Sequence, residues 1–183
     1  MAYLQDFDSL HNIAPGKHFY QFYKSSDDFF QVMMSFFQAG LEKGDACLWL
    51  VSDKVGFHHA YQTAQSMISG FKEAVSSGKF EIFSGELWYL SSGMFDESQA
   101  IFNAQNYLDK IKNAGFKCLR AAGDVGCVPK SDWGKVDLYE RKVDGWIKSQ
   151  PVIALCAYPL LQCTPSQAKN VLESHEDVLV GHF

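Results

Sequence analysis

The sequence predicts an α/β fold, namely a three-layer α/β/α sandwich with a mainly parallel sheet. Strand-like and helix-like segments alternate from residue 17 onward, which is typical of parallel strands joined by crossover helices. The segment 151–159 (PVIALCAYP) is apolar throughout and bounded by prolines, so it is predicted to be a strand. A strand without polar alternation is buried on both faces, which places this one at the centre of a sheet covered by helices on both sides.

Length and composition indicate one domain. The chain has 183 residues, of which 47% are hydrophobic, enough for one large core. We assign residues 1–16 to an N-terminal arm or short helix and residues 17–183 to a single domain. A net charge of −5 with scattered Lys and Arg residues disfavours binding of nucleic acids and anionic membranes. Because no signal peptide or long apolar run is visible, we expect a cytoplasmic protein.

The remaining elements follow from local patterns. Aromatic and β-branched content predicts strands, and apolar residues at helical spacing predict helices, two of which end at Gly44 and Gly115. The predicted strands are 17–23, 46–52, 80–83, 117–122, 151–159 and 178–180. The predicted helices are 27–43, 55–76, 98–114, 133–149 and 166–174, and residues 84–93 are predicted to form a loop.

The connection between the first strand and the first helix, residues 23–28 (YKSSDD), lies where nucleotide-binding folds hold a phosphate. It contains no glycine that would let the backbone wrap a phosphate, and its two aspartates would repel one. Ser and Asp at this position suit a helix N-cap. We therefore predict that this loop caps the helix and does not bind ATP or GTP.

Polar or aromatic residues follow the ends of five predicted strands. They are Tyr23 with Lys24, Ser52 with Asp53, Glu86 with Trp88 and Tyr89, Gly123 with Asp124, and Cys156 with Tyr158. Open parallel sheets bind ligands beyond the carboxyl ends of their strands, so these residues are predicted to line a ligand crevice. Any α/β sandwich has polar strand ends, however, and a purely structural role for each residue stays open.

Cysteine chemistry is disfavoured. The five cysteines lie mostly in apolar segments, which indicates free thiols and neither a disulfide framework nor a zinc site. Cys47 and Cys156 lie within apolar strands, where thiols stay protonated and inert. We therefore expect no catalytic residue, no metal site and no cofactor. His175 and His182, near the C-terminus, are expected to face solvent.

Arg120 is unusual because it lies in the middle of a predicted strand. A buried guanidinium must pair with an acceptor, and we consider either an anionic ligand or a carboxylate such as Asp124 or Glu140.

Four segments, in this order, resemble the MEDS domain, the sensory domain of methanogen and methylotroph regulators. They are HFYQFY at 18–23, FFQAGLEKGDACLWLVSD at 36–53, FEIF with ELWY at 80–89, and PVIALCAY at 151–158. The resemblance implies a RecA-like fold without a Walker A phosphate loop. It also implies sensing of small hydrocarbon derivatives, usually for an attached kinase or DNA-binding domain.

By position, the resemblance assigns a set of family-pattern residues that are candidate ligand contacts. They are His18, Tyr23, Cys47, Trp49, Trp88, Arg120, Glu140, Cys156 and Tyr158. Asp124 stands where the family typically has a glutamate, so the ligand is expected to differ on that side. Because no output domain is visible, the protein is expected to act through a kinase or transcription regulator, or to form a homo-oligomer.

The leading hypothesis is a stand-alone, non-enzymatic sensory domain that binds a small, largely apolar molecule at the carboxyl edge of the sheet. A non-catalytic protein-interaction scaffold is the alternative, and a small-molecule enzyme is the third possibility. An enclosed pocket lined by Tyr23, Trp88, Cys156 and Tyr158 would favour the ligand, whereas an exposed apolar patch would favour a protein partner.

Overall fold

A parallel sheet lies between two layers of helices. The structure is a computed structural model that describes residues 3–4, 7–175 and 177–179. The strands are β1 (Tyr3–Leu4), β2 (Lys17–Tyr23), β3 (Ala46–Val51), β4 (Phe80–Ser84), β5 (Leu90–Ser91), β6 (Met94–Phe95), β7 (Leu119–Asp124), β8 (Val152–Pro159) and β9 (Asp177–Leu179). The helices are α1 (Phe7–His11), α2 (Ser26–Lys43), α3 (Phe57–Met67), α4 (Phe71–Ser76), α5 (Gly85–Tyr89), α6 (Glu97–Asn113), α7 (Trp133–Lys148) and α8 (Pro165–Ser174).

The order of strands in the main sheet is β1-β9-β2-β8-β7-β3-β4, and every neighbouring pair described is parallel. This confirms the predicted three-layer fold with a parallel sheet. The proline-bounded strand, β8, is the middle strand and pairs with β2 on one side and β7 on the other. Strands β5 and β6 form a separate antiparallel hairpin.

The two sides of the sheet have different helices and separate hydrophobic cores. Helices α2, α3 and α4 cover one side, which we call the α2 face, where Met33, Phe37 and Trp49 are fully buried. Helices α6, α7 and α8 cover the other side, which we call the α7 face, where Leu108 and Tyr158 are fully buried. Alternation along each strand therefore decides which core a side chain enters.

The direction in which the chain leaves each strand creates a crevice at the carboxyl edge. After β2 and β3 the chain turns to the α2 face, whereas after β7 and β8 it turns to the α7 face. In the sheet, β8 and β7 lie between β2 and β3. The connections therefore diverge at this edge, which is the arrangement that forms ligand crevices in open parallel sheets.

The start of α2 confirms the capping role predicted for residues 23–28. The Ser25 hydroxyl accepts a hydrogen bond from the Asp28 N–H at 3.1 Å, and the Asp28 carboxylate accepts one from the Ser25 N–H at 3.2 Å. This reciprocal pair satisfies two backbone donors that a helix start otherwise leaves unbonded. Gly44 ends the helix with a left-handed φ of 90°.

Residues 84–93 are not a loop. Ser84 caps the short helix α5 by accepting a hydrogen bond from the Leu87 N–H, and the hairpin β5–β6 follows. Ser92 and Gly93 both have positive φ, 52° and 77°, as a tight type I′ hairpin turn requires. The prediction failed because Ser92 is not a residue that usually signals this turn.

Other boundaries differ less. The predicted helix 55–76 is divided into α3 and α4 by Gly70, whose φ is 72°. The fourth long strand, β7, begins two residues later than predicted, and residue 180 of the last predicted strand lies outside the described residues.

The N-terminal segment contributes β1, which pairs with β9, and α1, which packs on α2 through buried Leu10. Among the described residues, no helix is long and apolar enough to cross a bilayer.

Candidate functional site

A cavity of about 230 Å³ opens at the carboxyl ends of β2, β3, β7 and β8, and we call it the carboxyl-edge cavity. Tyr23 and Phe30 form an aromatic wall, and Val55 adds an aliphatic one. Ser52 and Asp124 contribute polar groups. Ser26, Lys54, His59 and Gln162 also line the cavity, so it combines apolar walls with hydrogen-bonding and charged groups, as small-molecule sites do.

Asp124 is the buried carboxylate of this cavity, with 1% of its surface exposed. It accepts hydrogen bonds from the Ser52 N–H at 3.1 Å and the Gly126 N–H at 2.8 Å. Burial raises the pKa of Asp124 above its ordinary value, and the hydrogen bonds from Ser52 and Gly126 oppose that shift. Burial likewise raises the pKa of the Tyr23 hydroxyl, with a contribution from nearby Asp124.

The predicted site residues do not share one pocket. Tyr23 and Asp124 line the carboxyl-edge cavity. Trp88 and Cys156 line a narrow apolar cleft of about 60 Å³ on the α7 face. Tyr158 instead lines a cleft of about 240 Å³ between α7 and α8, which we call the α7–α8 cleft. The sheet separates these spaces because Cys156 and Tyr158 point to the α7 face, whereas the carboxyl-edge cavity contacts α2 and α3.

Cys47, Trp49 and Arg120 lie on the α2 face, away from the described cavities that hold the other candidates. Cys47 and Trp49 are fully buried beneath α2, where Trp49 contacts the rings of Phe30 and Phe37. Burial raises the pKa of the Cys47 thiol. The five cysteines are all free, and Cys47 has the environment of a packing residue, as predicted.

Arg120 is paired, but with neither of the predicted carboxylates. Its Nε donates to Asp45 at 2.9 Å, Nη1 to the Phe36 carbonyl at 3.3 Å and Nη2 to the Leu10 carbonyl at 2.8 Å. The prediction of Glu140 is wrong because strand alternation directs Arg120 to the α2 face, opposite α7. Asp124 lies four residues further along β7, which by strand geometry places it about 13 Å away.

A polar cluster lies on the α7 face, between the apolar cleft and the α7–α8 cleft. Its members are His18 on β2, Glu140 on α7, Cys156 on β8 and His175 after α8, and we call it the His-Glu-Cys-His cluster. One donor atom from each residue can be chosen so that all four lie within 4.8 Å of one another.

Glu140 is the centre of the cluster. Its Oε1 accepts a hydrogen bond from the Tyr158 hydroxyl at 2.7 Å, which fixes the carboxylate. Its Oε2 lies 3.6 Å from Nε2 of His18, 3.7 Å from Nε2 of His175 and 3.8 Å from Sγ of Cys156. Burial raises the pKa of Glu140, and His18 with the Tyr158 hydroxyl opposes that shift.

The two histidines lie side by side, with ring centroids 4.1 Å apart. Nε2 of His18 is 3.3 Å from Sγ of Cys156, and its Nδ1 faces Asp144 at 3.6 Å. Nδ1 of His175 is 2.9 Å from the Val171 carbonyl, so this nitrogen carries the proton. Burial lowers the pKa of His175 well below its ordinary value, which keeps the ring neutral.

Sequence reasoning missed two residues of this region. His175 was expected to face solvent, yet its side chain is 0% exposed, because β9 pairs with β2 and draws the end of α8 over the sheet. His182 lies outside the described residues. Asp144 follows Glu140 by four residues on α7, and this helical spacing could have identified it as a neighbour.

Comparison with known families gives one match. A profile of the MEDS family, described as the methanogen/methylotroph, DcmR sensory domain, matches residues 17–176. A search of curated proteins finds no match. The matched residues include both clefts, the carboxyl-edge cavity and all members of the His-Glu-Cys-His cluster.

Proposed function

The chain belongs to the MEDS family of sensory domains, and we propose that it senses a small, largely apolar molecule held in the carboxyl-edge cavity. The observation that carries this proposal is the position of the cavity. It opens between the carboxyl ends of β2, β3, β7 and β8, where the chain leaves neighbouring strands toward opposite faces of the sheet. Open parallel sheets hold their ligands at such points.

The walls of the cavity indicate the chemistry of the ligand. Tyr23, Phe30 and Val55 suit a short hydrocarbon skeleton, whereas the Asp124 carboxylate suits one hydroxyl or amine donor. A volume of about 230 Å³ is below the roughly 300 Å³ at which pockets for drug-sized ligands begin. Residues 23–28 are also engaged in capping α2 and contain no glycine. These features favour a small alcohol, amine or halocarbon over a nucleotide.

We propose binding without catalysis. The two thiols of the central strands would be the nucleophiles of a cysteine enzyme, but burial raises the pKa of both Cys47 and Cys156. A protonated, buried thiol is a poor nucleophile. Neither of these thiols lines the carboxyl-edge cavity.

The test is a thermal-shift screen of small alcohols, amines, halocarbons and nucleotides, followed by titration of each compound that raises the melting temperature. A compound present at a hundred times its dissociation constant adds about 2.7 kcal/mol to the free energy of unfolding. We expect Val55→Phe, which fills the cavity, to weaken binding by at least about tenfold, or about 1.4 kcal/mol.

The matched control for this variant is Val75→Phe, which enlarges another half-buried valine on the α2 face that does not line the cavity. It should bind the compound like the wild type. Equal affinity of the wild type and Val55→Phe would show that the ligand binds elsewhere.

A second candidate function, protein binding without a ligand, is favoured by a groove on the surface beside β4. Phe83, Leu87 and Tyr107 line this groove, and Leu87 is 83% exposed. An exposed leucine beside aromatic rings suits a protein partner, such as a kinase, a transcription regulator or a second copy of this chain. This alternative predicts that no compound in the screen raises the melting temperature.

A further inference from the structure

The four donor atoms of the His-Glu-Cys-His cluster have the spacing of a metal site. Tetrahedral zinc binds nitrogen and oxygen at about 2.0 Å and sulfur at about 2.3 Å, which separates its ligands from one another by about 3.3 to 3.7 Å. Four of the separations in the cluster are 3.3, 3.6, 3.7 and 3.8 Å, and the chosen donor atoms all lie within 4.8 Å of one another. An ion would therefore need only a small inward movement of the side chains.

One buried acceptor in the cluster has no hydrogen-bond donor among the described residues. Because Nδ1 of His175 donates to the Val171 carbonyl, its Nε2 carries a lone pair. That lone pair faces Oε2 of Glu140, another acceptor, at 3.7 Å, and Nε2 is buried without a hydrogen-bond partner in the described structure. Oε2 of Glu140 accepts a hydrogen bond from the Cys156 thiol at 3.8 Å, but no donor in the described part of the chain reaches Nε2 of His175. A cation between them would satisfy both.

Residues around the cluster hold the donors in place. The Tyr158 hydroxyl donates to Oε1 of Glu140, so that Oε2 faces the two histidines and Cys156. The Val171 carbonyl fixes the tautomer of His175, and Asp144 lies 3.6 Å from the distal nitrogen of His18. Carboxylates and carbonyls on the second nitrogen of a histidine are a recurring feature of metal sites, where they orient the ring.

We propose that His18, Glu140, Cys156 and His175 bind one divalent transition-metal ion of the zinc class. The Cys156 thiol releases its proton to solvent when the ion binds. The resulting set of two imidazoles, one thiolate and one carboxylate suits Zn²⁺, Co²⁺ or Fe²⁺, whereas Mg²⁺ and Ca²⁺ require oxygen ligands. Four protein ligands fill a tetrahedral site, so the ion holds structure in place and does not activate water. It joins β2, β8, α7 and the end of α8. This inference replaces the sequence-based expectation of no metal site.

The first experiment measures metal binding by the full chain after treatment with a chelator. We expect one equivalent of Co²⁺ to bind and to give the visible bands of a tetrahedral ion together with a thiolate charge-transfer band. X-ray absorption of the zinc form should show one sulfur at about 2.3 Å and nitrogen or oxygen at about 2.0 Å.

Variants then assign the ligands. Cys156→Ala should abolish the charge-transfer band and lower Zn²⁺ affinity at least about a hundredfold. Tyr158→Phe, which removes the hydrogen bond to Glu140, should lower it by about ten- to a hundredfold. The matched controls are Cys163→Ala, which removes a half-buried thiol outside the cluster, and His59→Ala, which removes an exposed imidazole beside the carboxyl-edge cavity. Both controls should bind the metal like the wild type.

The proposal is overturned if the wild type binds less than one equivalent, if its zinc spectrum contains no sulfur, or if Cys156→Ala retains the charge-transfer band. The wild-type spectrum decides the question even if a variant does not fold. These readouts need no organic ligand, so they fail or succeed independently of the carboxyl-edge proposal.

Discussion

The α2 face and the α7 face both bury ionisable side chains, but they satisfy them differently. On the α2 face, each nitrogen of the Arg120 guanidinium has an acceptor, and the side chain is 0% exposed. On the α7 face, Nε2 of His175 is buried without a hydrogen-bond partner among the described residues, and Nδ1 of His18 has only the Asp144 carboxylate facing it, at 3.6 Å. The same sheet thus carries one polar network in which each guanidinium nitrogen has an acceptor and one cluster in which a histidine nitrogen has no donor within the described part of the chain.

This difference separates structure from function. A buried charge that is paired and hydrogen-bonded helps to hold the fold. Removal of either partner leaves the other charge buried and unpaired, which lowers the free energy of unfolding. A buried group without a partner costs free energy and persists where a ligand or ion completes it. By this criterion Arg120, although it matches the family pattern, is a structural residue, whereas the His-Glu-Cys-His cluster is the place where we propose that an ion binds.

Breaking the completed network should have the largest effect. Arg120→Met leaves the Asp45 carboxylate and the carbonyls of Leu10 and Phe36 without their donor, so we expect a loss of about 3 to 5 kcal/mol in the free energy of unfolding. Denaturant unfolding measures it. The control is Lys110→Met, which breaks the exposed ion pair with Glu81 and should cost at most about 1 kcal/mol. Equal losses in both variants would contradict the structural role of Arg120.

A smaller effect is expected from crowding the same network. A Cβ atom added to Gly40 would lie 2.4 Å from Cδ of Arg120, which its three hydrogen bonds hold in place. We expect Gly40→Ala to destabilise the protein by about 1 to 3 kcal/mol. Gly145→Ala, at an exposed position in the last turn of α7 with no neighbour within 4 Å, should instead stabilise it by about 0.5 to 1 kcal/mol. The same sign for both would show that Arg120 has room to move.

Much of the fold could be predicted because its signals are local. The bounds of β2 are as predicted, and α2 starts one residue earlier, since aromatic content and the Ser25 cap mark them directly. The central position of β8 follows from its unbroken apolar run. The order of strands has no local signal in the sequence. Asp45 directly precedes β3, which pairs with β7, and without the strand order it could not be predicted as the partner of Arg120.

The candidate site was predictable only in part, for the same reason. The resemblance to a known family marked His18, Glu140 and Cys156, which lie on three different elements. His175 completes the cluster only because β9 pairs with β2, and this pairing between distant segments is not visible in the sequence. The cluster has no zinc-ligand spacing along the chain, because its donors come from four separate elements.

The sharpest comparison of the two faces is to neutralise one carboxylate on each. Asp45→Asn removes the charge that balances Arg120 and should cost about 3 to 5 kcal/mol. Glu140→Gln, in chelator-treated protein, should be neutral or stabilising by up to about 1 kcal/mol, because the amide oxygen still accepts from Tyr158 while the amide N–H groups can donate to the facing histidine nitrogens. Saturating Zn²⁺ should make the wild type more stable than Glu140→Gln, since the ion binds the wild type and not this variant. Denaturant unfolding of the wild type and of both variants, with and without Zn²⁺, measures all six stabilities. If Glu140→Gln destabilises the metal-free protein as much as Asp45→Asn does, the α7 face is as complete as the α2 face, and the contrast between them is wrong.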